Sequence, residues 1–289
     1  MSFIKRLIIT VLSVGLASSV AFSEESGKKR LPGKVVVASV LGKVEAFDPR
    51  NQTPRSLKQN DVISEKHTVT VGQTSTVTLV FSNGSTISLL ENSELVISEF
   101  LQDPFSTPYA MATATEEPTT SVTSLNLVEG EVVCNVKKLR VKEGSSLVVN
   151  TPVGAAGVRG TIFVVKYTTD ENGNAIYTLS VTEGEVSLTD SNGQVTLIAA
   201  GKEVVVSVTL SVDPVTGETT VAEVLSMEVQ DIPAARLAMI NQVVADGATA
   251  VETIIVGVTE ANLIDVLTQA LDAPPVVIDP QPTTDVNPR

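Results

Sequence analysis

The chain of 289 residues has one histidine, one cysteine and no tryptophan, and aromatic residues make up only 3% of it. A structural zinc site needs three or four ligands drawn largely from Cys and His, and only His67 and Cys134 are on offer. A Ser-His-Asp triad or a Cys-His dyad would have to run through that same His67, which no supporting motif surrounds. No catalytic residue, cofactor site or metal site is assigned. Basic side chains are also scarce, 20 against 33 acidic ones, for a net charge of −13. With no Lys/Arg-rich block standing out, the footprint of a phosphate-neutralising surface is missing, and nucleic acid is not an expected partner.

What is abundant is β-branched. Valine occurs 47 times and threonine 32 times, which points to sheets. At the N-terminus Lys5 and Arg6 precede an apolar or small stretch from Leu7 to Val20, and Ala21-Phe22-Ser23 then places small residues where a signal peptidase reads. The layout is that of a secretory signal peptide over residues 1–23, too short and too diluted by Ser and Gly to span a bilayer. The mature protein is therefore expected in the periplasm, at the cell surface or outside the cell, with no transmembrane helix after cleavage. Cys134 has no internal disulfide partner and lies in the β-patterned Glu131–Val136, so it reads as a small buried hydrophobe.

From Lys34 to about Val224 short alternating runs are separated by turn residues. Thr76–Phe81 and Thr86–Leu89 flank Ser82-Asn83-Gly84-Ser85, a strong hairpin signal because Asn and Gly accept positive φ. Further hairpins are predicted around Asp170–Asn174, around Asp190–Gly193 and around Asp213–Gly217. Three segments share a Gly-x-Val signature, Gly42-Lys43-Val44, Gly130-Glu131-Val132 and Gly184-Glu185-Val186, in which glycine permits a tight lead into a strand. Pro104, Pro108 and Pro118 mark Gln102 to Ser124 as an exposed loop insertion. After Val229, Pro233 and the spacing of Leu237, Ile240, Val243 and Val244 predict a helix that Asp231 would cap; a second follows from Glu260 to Leu271, and Pro274-Pro275 opens a disordered tail.

Between Val35 and Val208 these features fall in an order that resembles the FecR domain. Gly42-Lys43-Val44, Asn60–Ser64, Ser82–Ser85, Ser93-Glu94-Leu95 and Gly130-Glu131-Val132 lead to the distinctive string Thr151-Pro152-Val153-Gly154-Ala155-Ala156-Gly157-Val158-Arg159-Gly160-Thr161-Ile162-Phe163. Glu183–Val186 and Ala200–Val204 follow it. The resemblance implies a mainly β fold, a twisted solenoid-like or sandwich-like stack of short strands and hairpins, with a small C-terminal helical segment. The expected organisation is a β domain over 34–228, a helical segment over 231–272 and a tail over 273–289. It also implies an envelope setting. FecR-type regulators carry a cytoplasmic anti-sigma segment ahead of a membrane helix, whereas six residues precede the apolar run here, and no short secretin/TonB-type domain is evident after residue 230.

Within the string, Pro152 holds Thr151 extended, and Gly154, Ala155, Ala156 and Gly157 let backbones approach closely. Two readings stand for Thr151, Pro152, Gly154, Gly157, Arg159, Gly160 and Thr161. One is a tight crossover with Arg159 bound to carbonyls or to Glu183 or Glu185; the other is a ligand seat in which Arg159 takes a carboxylate or phosphate. His67 reads as an exposed turn residue, and the paired glutamates Glu129, Glu131, Glu183 and Glu185 could support glycosidase chemistry only if their turns met in space. The sequence thus describes a non-catalytic exported module binding another envelope protein or a surface polymer; an accessory periplasmic sensor in sigma/anti-sigma signalling is the alternative.

Overall fold

Alternating valine and threonine give a strand one apolar and one polar face, and the chain buries the apolar faces by stacking two sheets. The computed structural model describes residues 30–252 and 255–258, apart from 111–112, 171–173, 213–214 and 217–218. The predicted signal peptide, second helix and tail lie outside the described residues. The first strands are β1 (Leu31–Pro32), β2 (Val35–Leu41), β3 (Val44–Phe47), β4 (Pro54–Ser56), β5 (Val62–Ile63) and β6 (Thr68–Val71). They are followed by β7 (Thr76–Phe81), β8 (Thr86–Leu89), β9 (Ser93–Gln102), β10 (Phe105–Ala110) and the long β11 (Ser121–Asn135). After a 3-10 turn at Val141–Glu143 come β12 (Ser146–Asn150), β13 (Gly154–Val158), β14 (Ile162–Thr169), β15 (Asn174–Glu183), β16 (Glu185–Asp190) and β17 (Val195–Ala199). The chain then forms β18 (Lys202–Val212), β19 (Thr219–Asp231), helix α1 (Ala234–Ala250) and β20 (Ile255–Val258).

The first sheet runs β4-β3-β6-β9-β11-β12-β13-β16-β17, with β1 beside the far end of β9. The second runs β5-β2-β7-β8-β11-β14-β15-β18-β19. β11 belongs to both: Ser121–Glu129 pairs with β9 in the first sheet, and the stretch beyond Gly130 pairs with β8 and β14 in the second. Gly130 is the joint. Its φ is +98°, and a Cβ there would stand 2.3 Å from Ser93 Oγ and 2.4 Å from Ser93 Cα. Gly42 and Gly184, the other two Gly-x-Val positions, also have positive φ where β2 passes to β3 and β15 to β16, each from the second sheet to the first. The shared signature therefore marks a change of layer, a stronger role than a tight lead into a strand.

Between the sheets lies one core that includes Leu79, Phe81, Leu95, Phe100, Leu125, Leu127, Phe163, Tyr177 and Val204. Each such side chain contributes about 1.5–3 kcal/mol relative to exposure. Cys134 is fully buried in it, where desolvation pushes its thiol pKa up and keeps it protonated. The predicted hairpins β7–β8, β14–β15, β16–β17 and β18–β19 all form. One of them has an unexpected setting: the Ser82-Asn83-Gly84-Ser85 turn is buried, with Asn83 Nδ2 donating to Ser121 Oγ (3.1 Å) and Ser82 Oγ to Gln102 Oε1 (2.6 Å).

Two expectations are corrected. Residues 102–124 are not simply an exposed loop: β10 pairs antiparallel with β20, and Glu117 is buried, accepting from Ser121 Oγ and the Arg140 amide. Pro108 is tolerated because β10 belongs to a two-stranded ribbon, whose register shifts between Phe105 and Tyr109. Asp231 does not cap α1; it ends β19 and pairs with Lys202 Nζ at 2.7 Å, and Pro233 occupies the N-cap without a side-chain bond. The helix itself covers the outer face of the second sheet, with Ile240 on Val133 and Val164, and with Val251 just beyond it on Ala38 and Val80.

Gly130→Ala is expected to cost about 3 kcal/mol, combining a left-handed backbone with a clash against Ser93, whereas Gly193→Ala, also at positive φ but in open space, costs about 1 kcal/mol. Urea unfolding of the two variants measures the difference.

Candidate functional site

The Thr151–Thr161 string is a crossover. Thr151 and Gly154 close a tight turn between β12 and β13, Gly154 N donating to Thr151 O at 3.2 Å and Thr151 Oγ1 to Gly154 O at 3.0 Å, with Pro152 inside it. The small residues serve close packing of β13 on β16: a Cβ on Gly154 would sit 2.7 Å from Thr189 O, and one on Gly157 2.8 Å from Ser187 Oγ. At Gly160 (φ +122°) the chain changes sheet beside Lys138 Cα, and the carbonyl of Thr161 accepts from Val136 N at 2.9 Å. Arg159 is not paired as the crossover reading expected. Its side chain is exposed and makes no hydrogen bond or ion pair among the described residues, Glu183 and Glu185 included.

Nor do the two Glu-Gly-Glu turns meet. Gly130 lies opposite Tyr167 and Glu183 opposite Ile162, the two ends of β14, so five residues or about 17 Å of strand separate them. Glycosidase carboxyl pairs stand about 5 to 9.5 Å apart. Among the described residues, no group of three or more His, Cys, Asp or Glu side chains could hold a metal ion.

Glu131 instead joins a partly buried charged cluster, centred on the buried Glu203, that the sequence reading missed. Arg236, in the first turn of α1, places Nη1 3.0 Å from Glu131 Oε1 and Nε 2.8 Å from Glu203 Oε2. Ser180 Oγ donates to the same Glu203 oxygen at 2.6 Å, Gln230 Nε2 reaches Glu203 Oε1 at 3.2 Å, and Lys166 Nζ stands 3.8 Å from Glu131 Oε2. Alternation on β18 put Glu203 on the outer face of the second sheet, and α1 then covered it. The available signal was that Arg236 is the one cation in Ala234–Ala250. The cluster clamps the helix to β11, β15 and β18.

His67 is also corrected: it is 7% exposed, with Nδ1 3.1 Å from Ser64 O and Nε2 3.8 Å from Asp48 Oδ2. Burial lowers its pKa below the usual 6.5, outweighing the attraction of Asp48. Burial by itself would raise Asp48, but hydrogen bonds from the Arg50 side chain and backbone hold it below the ordinary aspartate value. Nearby, the open face of the first sheet has a shallow depression of about 290 Å³ between Glu45, Phe47, Pro54, Thr68, Thr70 and Glu94. Elsewhere Lys137, Lys138, Arg140 and Lys142 share a corner with Arg159, whose carbonyl accepts from Leu139 N; this local basic run went unread against the acidic whole.

The described chain is thus an all-β domain of two stacked sheets with a clamped helix, offering surfaces more than a cleft. Residues 67–187, from the start of β6 into β16, match the family model for FecR protein. No curated protein matches the chain. Among solved structures it is similar to two crystal structures described as a candidate anti-sigma factor from Parabacteroides distasonis ATCC 8503. For the one at 2.50 Å resolution the identity is 17% and the TM-score 0.38, with 59% of this chain and 62% of that chain covered, so this chain spans less than two thirds of it. For the one at 1.65 Å the values are 15% and 0.38, covering 71% and 91%. No helix of the described residues is long and apolar enough to cross a membrane.

Two outcomes follow. Arg236→Ala leaves Glu203 without a cation and Glu131 with only Lys166, and is expected to cost about 3 kcal/mol and to free α1 for limited proteolysis, whereas Arg236→Met combined with Glu203→Gln and Glu131→Gln recovers most of that loss. Because His67 has its folded pKa lowered, its contribution is complete above pH 6.5 and is lost as pH falls through the folded value. Thermal midpoints should therefore drop more between pH 7.5 and 5.5 in the wild type than in His67→Gln, while Asp48 contributes throughout that window and is lost only at lower pH.

Proposed function

We propose that the protein is an exported component of sigma/anti-sigma cell-surface signalling, acting by binding another envelope protein and not by turnover. The observation that carries this reading is the match to the FecR family model over 67–187, a stretch that occupies the middle of both sheets and includes the joint at Gly130. The resemblance to FecR-type regulators implies a signal passed through protein contacts. The charged leader and apolar run from Lys5 to Val20 support export. The exposed edges of the sheets are surfaces suited to such contacts; at the Lys137 to Lys142 corner Lys138 and Arg140 are already paired with Glu116 and Glu143. In this reading a separate membrane protein supplies the output on the cytoplasmic side.

The rival reading is a structural envelope module that binds a surface polymer, which the same exposed sheet edges would serve. Deleting the gene in its host and sequencing the transcripts separates the two. Signalling predicts that the targets of one sigma factor change together and are restored by the complemented gene. Unchanged transcripts with altered envelope integrity would overturn it.

A further inference from the structure

The two ends of the stack treat their edge strands differently. At the N-terminal end, β4 has three residues, among them Pro54 and Arg55, and β5 has two. Short strands, proline and cations are common means of preventing unwanted strand pairing. At the other end β19 runs for 13 residues, Thr219–Asp231, with no Pro, Lys or Arg. Among the described strands it pairs only with β18. Register shifts break its first half, opposite Ser207–Val208 and Thr209–Leu210, but Ser226–Asp231 is regular.

The faces of β19 differ as sharply. Val229, Met227 and Val224 lie opposite Val204, Val206 and Val208. Those three β18 residues are buried in the core, at 0, 6 and 0% exposed, whereas Val229, Met227 and Val224 are 55, 47 and 54% exposed. β17, the last strand of the first sheet, lies against β15 and β18, and the core-side face of β19 extends past that cover. The opposite face carries Glu228, across from Val205, and Glu223, across from Thr209; both are exposed and neither has an ion-pair partner among the described residues.

We propose that β19 is an acceptor edge for an extended segment of a partner protein whose residues alternate between β-branched apolar and basic. Such a segment would pair with the free backbone groups of Ser226–Asp231, continue the apolar stripe of Val224, Met227 and Val229, and set its cations against Glu228 and Glu223. A second copy of this chain fits less well. Edge-to-edge pairing would gather the glutamates of two β19 strands along one seam in a chain already at −13, and the β4 and β5 edges are too short to receive β19 head to tail. This inference rests on the binding reading above by giving the partner a chemistry, but its test involves no transcription, so the two fail separately.

The test uses the whole exported chain and two labelled nine-residue peptides, one alternating valine with lysine and one alternating valine with glutamate, each below its own self-association concentration. The valine-lysine peptide is expected to bind about tenfold more tightly or better, to weaken with salt, and to slow amide exchange within Ser226–Asp231. Met227→Glu with Val229→Glu should lose that binding. Glu223→Lys with Glu228→Lys, at exposed positions that leave the fold intact, should reverse the preference between the peptides. Four results would each overturn the proposal: protection in the free protein of those Ser226–Asp231 amides that point away from β18, equal binding of both peptides, unchanged preference in the charge-reversed variant, or a wild-type dimer abolished by Met227→Glu with Val229→Glu.

Discussion

One strand holds the molecule together. β11 ladders with β9 before Gly130 and with β8 and β14 after it, so both sheets share a single continuous backbone. That is possible only where the chain can turn between layers without a side chain, and Ser93 closes the corner by both donating to the Glu131 carbonyl and accepting from its amide. Everything on either side follows from the bend. Each layer keeps its apolar face inward, and each later hairpin adds to whichever sheet its corner delivers it to.

The helix depends on a different balance. Its contact with the second sheet is modest, Ile240 on Val133 and Val164 and the neighbouring Val251 on Ala38 and Val80, while its first turn places Arg236 between two carboxylates that are largely shielded from water. A buried ion pair adds little net stability over apolar packing, but breaking it is costly because the unpaired charge stays buried. Arg236 therefore specifies where α1 lies more than it strengthens the attachment. Hydrophobic contact alone on a face of similar valines would leave the helix free to slide.

Much of this was legible in the residues. Alternation and Asn-Gly or Asp-rich turns marked the hairpins, because period two and positive φ are local demands that a sequence states directly. The corner glycines were legible as a motif but not as changes of layer, since which sheet a strand joins is decided by partners far along the chain. Residues 102–124 misled because three prolines suggest a loop, and the ribbon that 105–110 forms with β20 becomes visible only when Ile255–Val258 is brought alongside. His67 misled in the same way, and Glu203 went unread: only the fold supplies the Asp48 or the Arg236 that accounts for the burial of each. The small residues of Thr151–Thr161 were legible as a place where backbones approach closely, but that the approaching backbone is β16 is decided by pairing thirty residues away.

The enclosed Asn83-Gly84 turn has a consequence for the lifetime of the molecule. An asparagine before glycine is the dipeptide most prone to slow spontaneous deamidation, because the following amide nitrogen can attack the side chain. At Asn83 both ends of the side-chain amide are engaged, and the Gly84 nitrogen is held by the Phe81 carbonyl at 2.8 Å. The attack would need the turn to come apart. At Asn192-Gly193, exposed at the β16–β17 tip, the Gly193 nitrogen is likewise held, by the Asp190 carbonyl at 3.0 Å, but no burial encloses the turn, so chemical ageing of these two similar dipeptides would proceed on different clocks, fast at the rim and slow within.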